Sequence, residues 1–171
     1  MRHWVVTVPE ERYAIERLYH NERLDLPNPG DLIVGDRVVL LAPGRPPVVF
    51  GLGRVAAAQP GRVSVEYERR LFDTPLPADD VVVGPVAADT YHSIEAAARR
   101  AAVVPDRTWL VSVDLPIEAP SPAEAVRRFW SYVRQLGPRE LPAFVSPADD
   151  ELAMQAYVLG EQANLDPEED E

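Results

Sequence analysis

The side chains in this sequence best suited to proton transfer or metal binding are His3, His20 and His92, and none sits at a ligand spacing such as His-x-x-x-His. Carboxylates cluster at Asp79-Asp80 and Asp149-Asp150-Glu151. Each cluster lies in a turn, with no His or aromatic frame to set one acid against another. Ser112 and Ser131 lack the Gly-x-Ser-x-Gly elbow that would activate a hydroxyl. The chain has no Cys, so it offers neither a thiolate nucleophile nor a Cys-based zinc site. It has no Lys either, so Gly51-Leu52-Gly53 cannot belong to a phosphate loop that ends in Gly-Lys. These observations argue against an enzyme and call for no cofactor and no metal.

Recognition chemistry is what remains. A flipped or free base needs an aromatic face to stack on and donors and acceptors at its edge. Trp4, Tyr13 and Phe50 supply faces; His3, Arg37, Arg54 and Ser64 supply edges. Stacking is worth ~1–3 kcal/mol per base, so two or three polar contacts beside it suffice for micromolar capture. Each residue also has a plainer role: Trp4 as a core anchor of the first strand, Arg54 as a solvent-facing strand residue, Asp36 as the cap of a turn. A second candidate surface is a helix on which Trp130 and Tyr132 flank an apolar stripe. Buried, Trp130 packs on a sheet; exposed, it marks a protein contact. Arg127, Arg128 and Arg134 on that helix suit an acidic partner or the chain's own acidic tail.

The charge narrows the partners. Seventeen Arg against 28 acids give 171 residues a net charge of -11, and six of those acids fall in residues 161–171, which contain no Arg. The remaining body, at -5, cannot coat a duplex, which takes a basic stripe to displace counterions, but it can hold a single base or a short single strand. The exclusive use of Arg reads as the codon bias of a GC-rich genome. No apolar run approaches the ~20 residues of a membrane span, and Met1-Arg2-His3-Trp4 does not begin a signal peptide. The expectation is a cytoplasmic protein with no membrane partner.

Local chemistry places these residues on elements. His3 to Val8 is a β-branched, aromatic run and reads as a strand; Pro9, Glu10 and Glu11 then open a helix with Ile15, Leu18 and Tyr19 on one face. Residues 21–35, rich in Pro and Gly, read as a loop. Val38 to Leu41 is a strand buried on both faces, and Val48 to Ala57 returns as a second, where Gly51 and Gly53 imply a bulge or a close approach. Pro60-Gly61 makes a type II turn into a half-exposed strand at Val63, Val65 and Tyr67, followed by the short run Val81-Val82-Val83. The later half predicts a helix over Ser93–Val103, a strand over Trp109–Leu115, and a helix that Ser121 caps with Pro122 at its first position. That helix is expected to bury Val126, Phe129, Val133 and Leu136 and to stop at Gly137-Pro138; strands follow at Leu141–Val145 and Leu152–Leu159.

Three stretches resemble the EVE-type domains of the PUA-like superfamily, whose members include readers of modified nucleobases. His3-Trp4-Val5-Val6 is similar to their opening strand, Val34-Gly35-Asp36-Arg37-Val38-Val39-Leu40 to their Gly-Asp turn, and Val49-Phe50-Gly51-Leu52-Gly53-Arg54-Val55 to the strand that follows. The family's loop before the Gly-Asp turn often carries a Trp and an Arg-Asn pair, which residues 21–30 do not. Tyr91-His92-Ser93 lies about fifty residues too late to match the family's Tyr-His-Ser triplet and is set aside as coincidence. The resemblance covers the N-terminal half only and implies a small PUA-like β-barrel over residues 1–90. With the element pattern of the remainder, a helix and a β-α-β-β unit over 91–163 packed on it and an acidic tail, 164–171, the expectation is an α+β protein. The expected function is non-catalytic binding of a modified nucleobase, nucleotide or single-stranded nucleic acid by Trp4, His3, Tyr13, Arg37, Phe50 and Arg54. The alternative is a protein–protein interaction or regulatory protein that uses the C-terminal unit and the tail.

Overall fold

Residues 1–28, 30–101 and 105–163 are described by a computed structural model. The protein is α+β and divides into two compact units, Met1–Val104 and Pro105–Glu171. The acidic tail expected over 164–171 lies outside the described residues.

The first unit runs β1 (His3–Thr7), α1 (Glu10–Leu18), β2 (Arg23–Pro27), β3 (Arg37–Ala42), β4 (Val48–Gln59), β5 (Arg62–Arg70), β6 (Leu76–Pro77), β7 (Gly84–Val86) and α2 (Ala88–Ala101). Its strands form one sheet in the order β2-β5-β4-β3-β1-β7, with β6 on β4; no pairing among the described residues closes it into a barrel. β1 and β3 are parallel, and the other pairs are antiparallel. Both faces are covered. Val6, Val8, Leu24, Leu26, Val38, Leu40, Phe50, Val63 and Val65 build one core, and Val5, Val39, Leu41, Leu52, Leu71, Tyr91 and Ala98 build the other. β3 is buried on both faces, as its unbroken apolar run predicts.

Several expectations are corrected. Arg23–Pro27 is a strand, not a loop: Leu24 and Leu26 alternate inward, and Pro27 is tolerated because it ends an edge strand. Val81–Val83 is not a strand, and Val82 and Val83 are exposed. On α1 the apolar face is not the buried one. Ile15 and Tyr19 are exposed, while Glu16 is buried and Tyr13 packs on the core. The units divide after α2 and not at residue 90, because Tyr91 and Ala98 complete the second core of the first unit.

The hairpin chemistry is as predicted. Gly61 has the positive φ, 75°, that a type II turn requires at that position. At Gly53 both readings hold: the β4–β5 register shifts between Leu52 and Gly53, and a Cβ there would lie 2.5 Å from Val65 Cγ1 and 2.6 Å from the Glu66 carbonyl oxygen.

The second unit contains β8 (Trp109–Ser112), α3 (Pro122–Leu136), β9 (Ala143–Pro147), β10 (Gln155–Val158) and β11 (Glu161–Ala163), with the sheet order β11-β10-β9-β8. β11 was not foreseen. The cap of α3 was: the Glu124 amide donates to Ser121 Oγ at 3.2 Å, Pro122 leads, and Gly137 ends the helix at φ 65°. The expected burial is not found. Val126 is 56% exposed, Phe129, Val133 and Leu136 are only half-buried, and α3 has no buried residue. Among the described residues of this unit only Leu141, Ser146 and Pro147 are buried, in keeping with the thin core of a unit this small. No helix among the described residues is long and apolar enough to cross a membrane.

Candidate functional site

Successive side chains on a strand point to opposite faces, so His3 and Trp4 cannot line one pocket. The six residues expected to bind divide accordingly. Trp4, Tyr13 and Phe50 lie on the face of the first core. Phe50 is fully buried against Tyr13, ring centroids 4.8 Å apart, and is core rather than a binding surface. His3, Arg37 and Arg54 are register partners across β1, β3 and β4, and the row continues to Glu66 on β5, which pairs with Arg54 at 3.8 Å. Ser64 pairs with Asp25 and Ala57 in register, away from Trp4.

Around Trp4 the local sequence explains the geometry. The turn Ile33-Val34-Gly35-Asp36 requires a φ of 90° at Gly35, and it brings Asp36 beneath the loop that follows β2. Asp36, 2% exposed, accepts from the Ile33 amide at 3.1 Å and from the Arg2 guanidinium at 2.6 Å. Burial works to raise its pKa; the hydrogen bonds from Arg2 and Ile33 overcome this and hold it below the ordinary range. Asp36 therefore caps the turn and anchors Arg2, which also donates to the Asp31 carbonyl. Arg2 in turn stands over the indole of Trp4, 5.6 Å from its centroid. Gly30, tied to the Asn28 side chain through its amide (3.2 Å), comes so close to the far edge of the indole that a Cβ would lie 3.2 Å from it. Trp4 Nε1 is buried and has no hydrogen-bond partner among the described residues. Buried donors in native proteins are nearly always paired, so this N–H calls for an explanation.

The opposite face holds a polar cluster under α2. The His3 ring lies 4.7 Å from that of Tyr91 and 5.5 Å from that of His92. Tyr91-His92, set aside as coincidence in the sequence, thus belongs beside the predicted residues His3 and Arg37. Glu95 gathers Arg37 (3.3 Å), Arg99 (3.1 Å) and His92 (3.4 Å) on its carboxylate. Burial opposes ionisation of Glu95, but the hydrogen bonds from His92 and Arg99 outweigh it, and its pKa is lowered. Burial, aided by the charge of Glu68, pushes the Tyr91 phenol up to about 12. Arg37 from the sheet and Arg99 from α2 share the single carboxylate of Glu95, so the cluster fastens α2 to the sheet.

Burial, with the charges of His92 and Arg37, lowers the pKa of His3. The folded state therefore favours neutral His3. The associated stability is present above ~6.5, the value for an unfolded chain, and is lost as pH falls through the lower folded value. Asp36 and Glu95, both lowered, act in a separate window, their stabilisation being lost only as pH falls below ~4. Thermal melts between pH ~8 and ~5 should show a stability decline in the wild type that His3→Gln flattens. Equal slopes would show that His3 is not the group whose ionisation is linked to folding.

Arg2, Asn28 and Gly30 were not foreseen as neighbours of Trp4. Arg2 directly precedes His3-Trp4 and its partner Asp36 stands in the Gly-Asp turn, which is the one signal that pointed to them. Among the described residues no group of three or more His, Asp or Glu side chains is placed to hold a metal ion. Comparison with known proteins finds no matching family model, no matching curated protein and no matching solved structure.

Proposed function

We propose that the first unit is a non-catalytic binding module for a modified nucleobase or nucleotide, seated at Trp4. The observation that carries the reading is the buried indole N–H without an acceptor among the described residues, on a ring that is itself only partly buried. A heteroaromatic base has the complementary features, a flat face to stack and a carbonyl or ring nitrogen at its edge to accept that N–H. Gly30, at the far edge of the ring, has no side chain to withdraw, and over the face of the ring stands the Arg2 guanidinium, which a stacking base would displace or join. Arg2 is already paired with Asp36, so the site reads a base and not its phosphate. The likeness of the opening strand and Gly-Asp turn to EVE-type domains supports the same reading, including their barrel as the parent of this open sheet.

Calorimetric titration with modified and unmodified nucleosides and short single-stranded oligonucleotides tests the proposal. Saturable binding that is insensitive to salt is expected. Trp4→Phe keeps a face and removes the N–H, and should weaken binding roughly 2- to 12-fold, the worth of one neutral hydrogen bond. Trp4→Ala should lose the stacking term of ~1–3 kcal/mol as well. Circular dichroism must show both variants folded. Equal affinity of Trp4→Phe and wild type, or no binding across the set, removes the proposal.

A further inference from the structure

The polar face of α3 carries more positive charge than it neutralises. Arg127 and Arg128 share a single carboxylate, that of Glu124: Arg127 reaches Oε2 at 2.7 Å and Arg128 reaches Oε1 at 3.3 Å. Arg134, on the same face as Arg127, has no ion pair among the described residues. Glu124, Arg127, Arg128, Ser131 and Tyr132 line a groove of about 270 Å³ along this face. Arg127 is 68% exposed at its side chain, and Tyr132 is 44% exposed, so both remain open to an occupant. Such a groove suits an extended acidic segment: carboxylates for the guanidinium forks and an apolar contact for the phenol.

We propose that its occupant is this chain's own C-terminal segment, 164–171. The sequence Asn164-Leu165-Asp166-Pro167-Glu168-Glu169-Asp170-Glu171 carries five acids and no base, and Leu165 and Pro167 provide apolar surface. It begins directly after β11, in the same unit as α3. Eight extended residues reach up to ~27 Å, comparable with the ~28 Å breadth of a compact unit this size. Tethering presents the segment at an effective concentration in the millimolar range, so contacts that are individually weak suffice. The segment then acts as an internal competitor, and an acidic partner docks on α3 only by displacing it.

The test uses the full-length chain in two forms, the wild type and a form whose five tail acids are replaced by amides (Asp166→Asn, Glu168→Gln, Glu169→Gln, Asp170→Asn, Glu171→Gln). A fluorescent peptide of sequence 164–171 is titrated against each by anisotropy at low and high salt. The neutral-tail form should bind the peptide at least tenfold more tightly than the wild type, and high salt should abolish the binding. Arg127→Gln with Arg128→Gln in the neutral-tail form should reduce affinity at least tenfold, with helicity checked by circular dichroism. Equal peptide affinity of both forms overturns the proposal, because it shows the groove open in the native chain. Undiminished binding by the double Gln variant places the peptide elsewhere and also overturns it. A chain that sediments as a dimer only when its tail is charged puts the segment into a second copy and rules out the intramolecular arrangement.

Discussion

Gly53→Ala should destabilise the first unit by ~3 kcal/mol or more, since overpacking that forces a backbone shift lies at or beyond the upper end of the usual range. The added methyl would lie 2.5 Å from Val65 Cγ1 and 2.6 Å from the Glu66 carbonyl oxygen. Val65 is wholly buried in the first core and has no free direction in which to turn. The carbonyl belongs to β5, which pairs with β4 on one side and β2 on the other, so relief at one atom shifts three strands. For a unit of this size the loss corresponds to a fall in Tm of ~12–24 °C. Gly51→Ala is the internal comparison: its Cβ would meet the Arg69 carbonyl oxygen and Tyr67 at 3.2 Å, a contact a small adjustment relieves, and its loss should be clearly smaller. Thermal and urea unfolding of the two variants decide the matter. A Gly53→Ala protein within ~1 kcal/mol of wild type would mean that β4 and β5 do not approach as described.

The second large effect belongs to Glu16. Its carboxylate, 1% exposed, accepts from Arg12 at 2.7 Å, from Asn21 Nδ2 at 3.0 Å and from the Tyr67 hydroxyl at 3.0 Å. Burial, and the charge and hydrogen bond of Glu16, raise the Tyr67 pKa far above the ordinary phenol value, so its hydroxyl remains a donor at every physiological pH. Glu16→Ala strands that hydroxyl, the Asn21 amide and the Arg12 guanidinium together, and should cost ~3 kcal/mol. The Arg12 share is the smaller part, because its side chain is 34% exposed and water screens the pair. Glu16→Gln keeps an acceptor for Tyr67 and should cost roughly half as much. Tyr67→Phe should cost ~1 kcal/mol alone, and the double variant with Glu16→Ala less than the sum, because the two changes remove the same bond. Strict additivity in urea unfolding would show that the hydroxyl and the carboxylate do not interact.

Glu16 also shows where sequence periodicity fails. The apolar spacing of Ile15, Leu18 and Tyr19 selects one face of α1, yet the fold buries the face holding Glu16 and Tyr13. A buried carboxylate is stable only beside donors, and two of its donors, Asn21 and Tyr67, lie outside the helix. The hidden strand β2 failed for a different reason: the alternation of Leu24 and Leu26 was present, but the surrounding Pro and Gly outweighed it. On α3 the amphipathic stripe located the helix correctly and predicted burial that the small second unit does not supply.

The sequence alone determined what is settled within a few residues. The Gly35-Asp36 turn, the Pro60-Gly61 hairpin, the Ser121-Pro122 cap and the Gly137 stop each rest on a φ preference or a hydrogen bond between near neighbours. It also showed that these 171 residues hold no Cys and no Lys. Only the tertiary structure decided which predicted residues meet. The parallel pairing of β1 with β3 sets His3 beside Arg37, and α2 brings Tyr91 and His92 to them from far along the chain. The same strand turns Trp4 to the other face, under Gly30 and Arg2. Strand pleating separates adjacent residues, and long-range pairing joins distant ones, because burial is decided between elements and not within them.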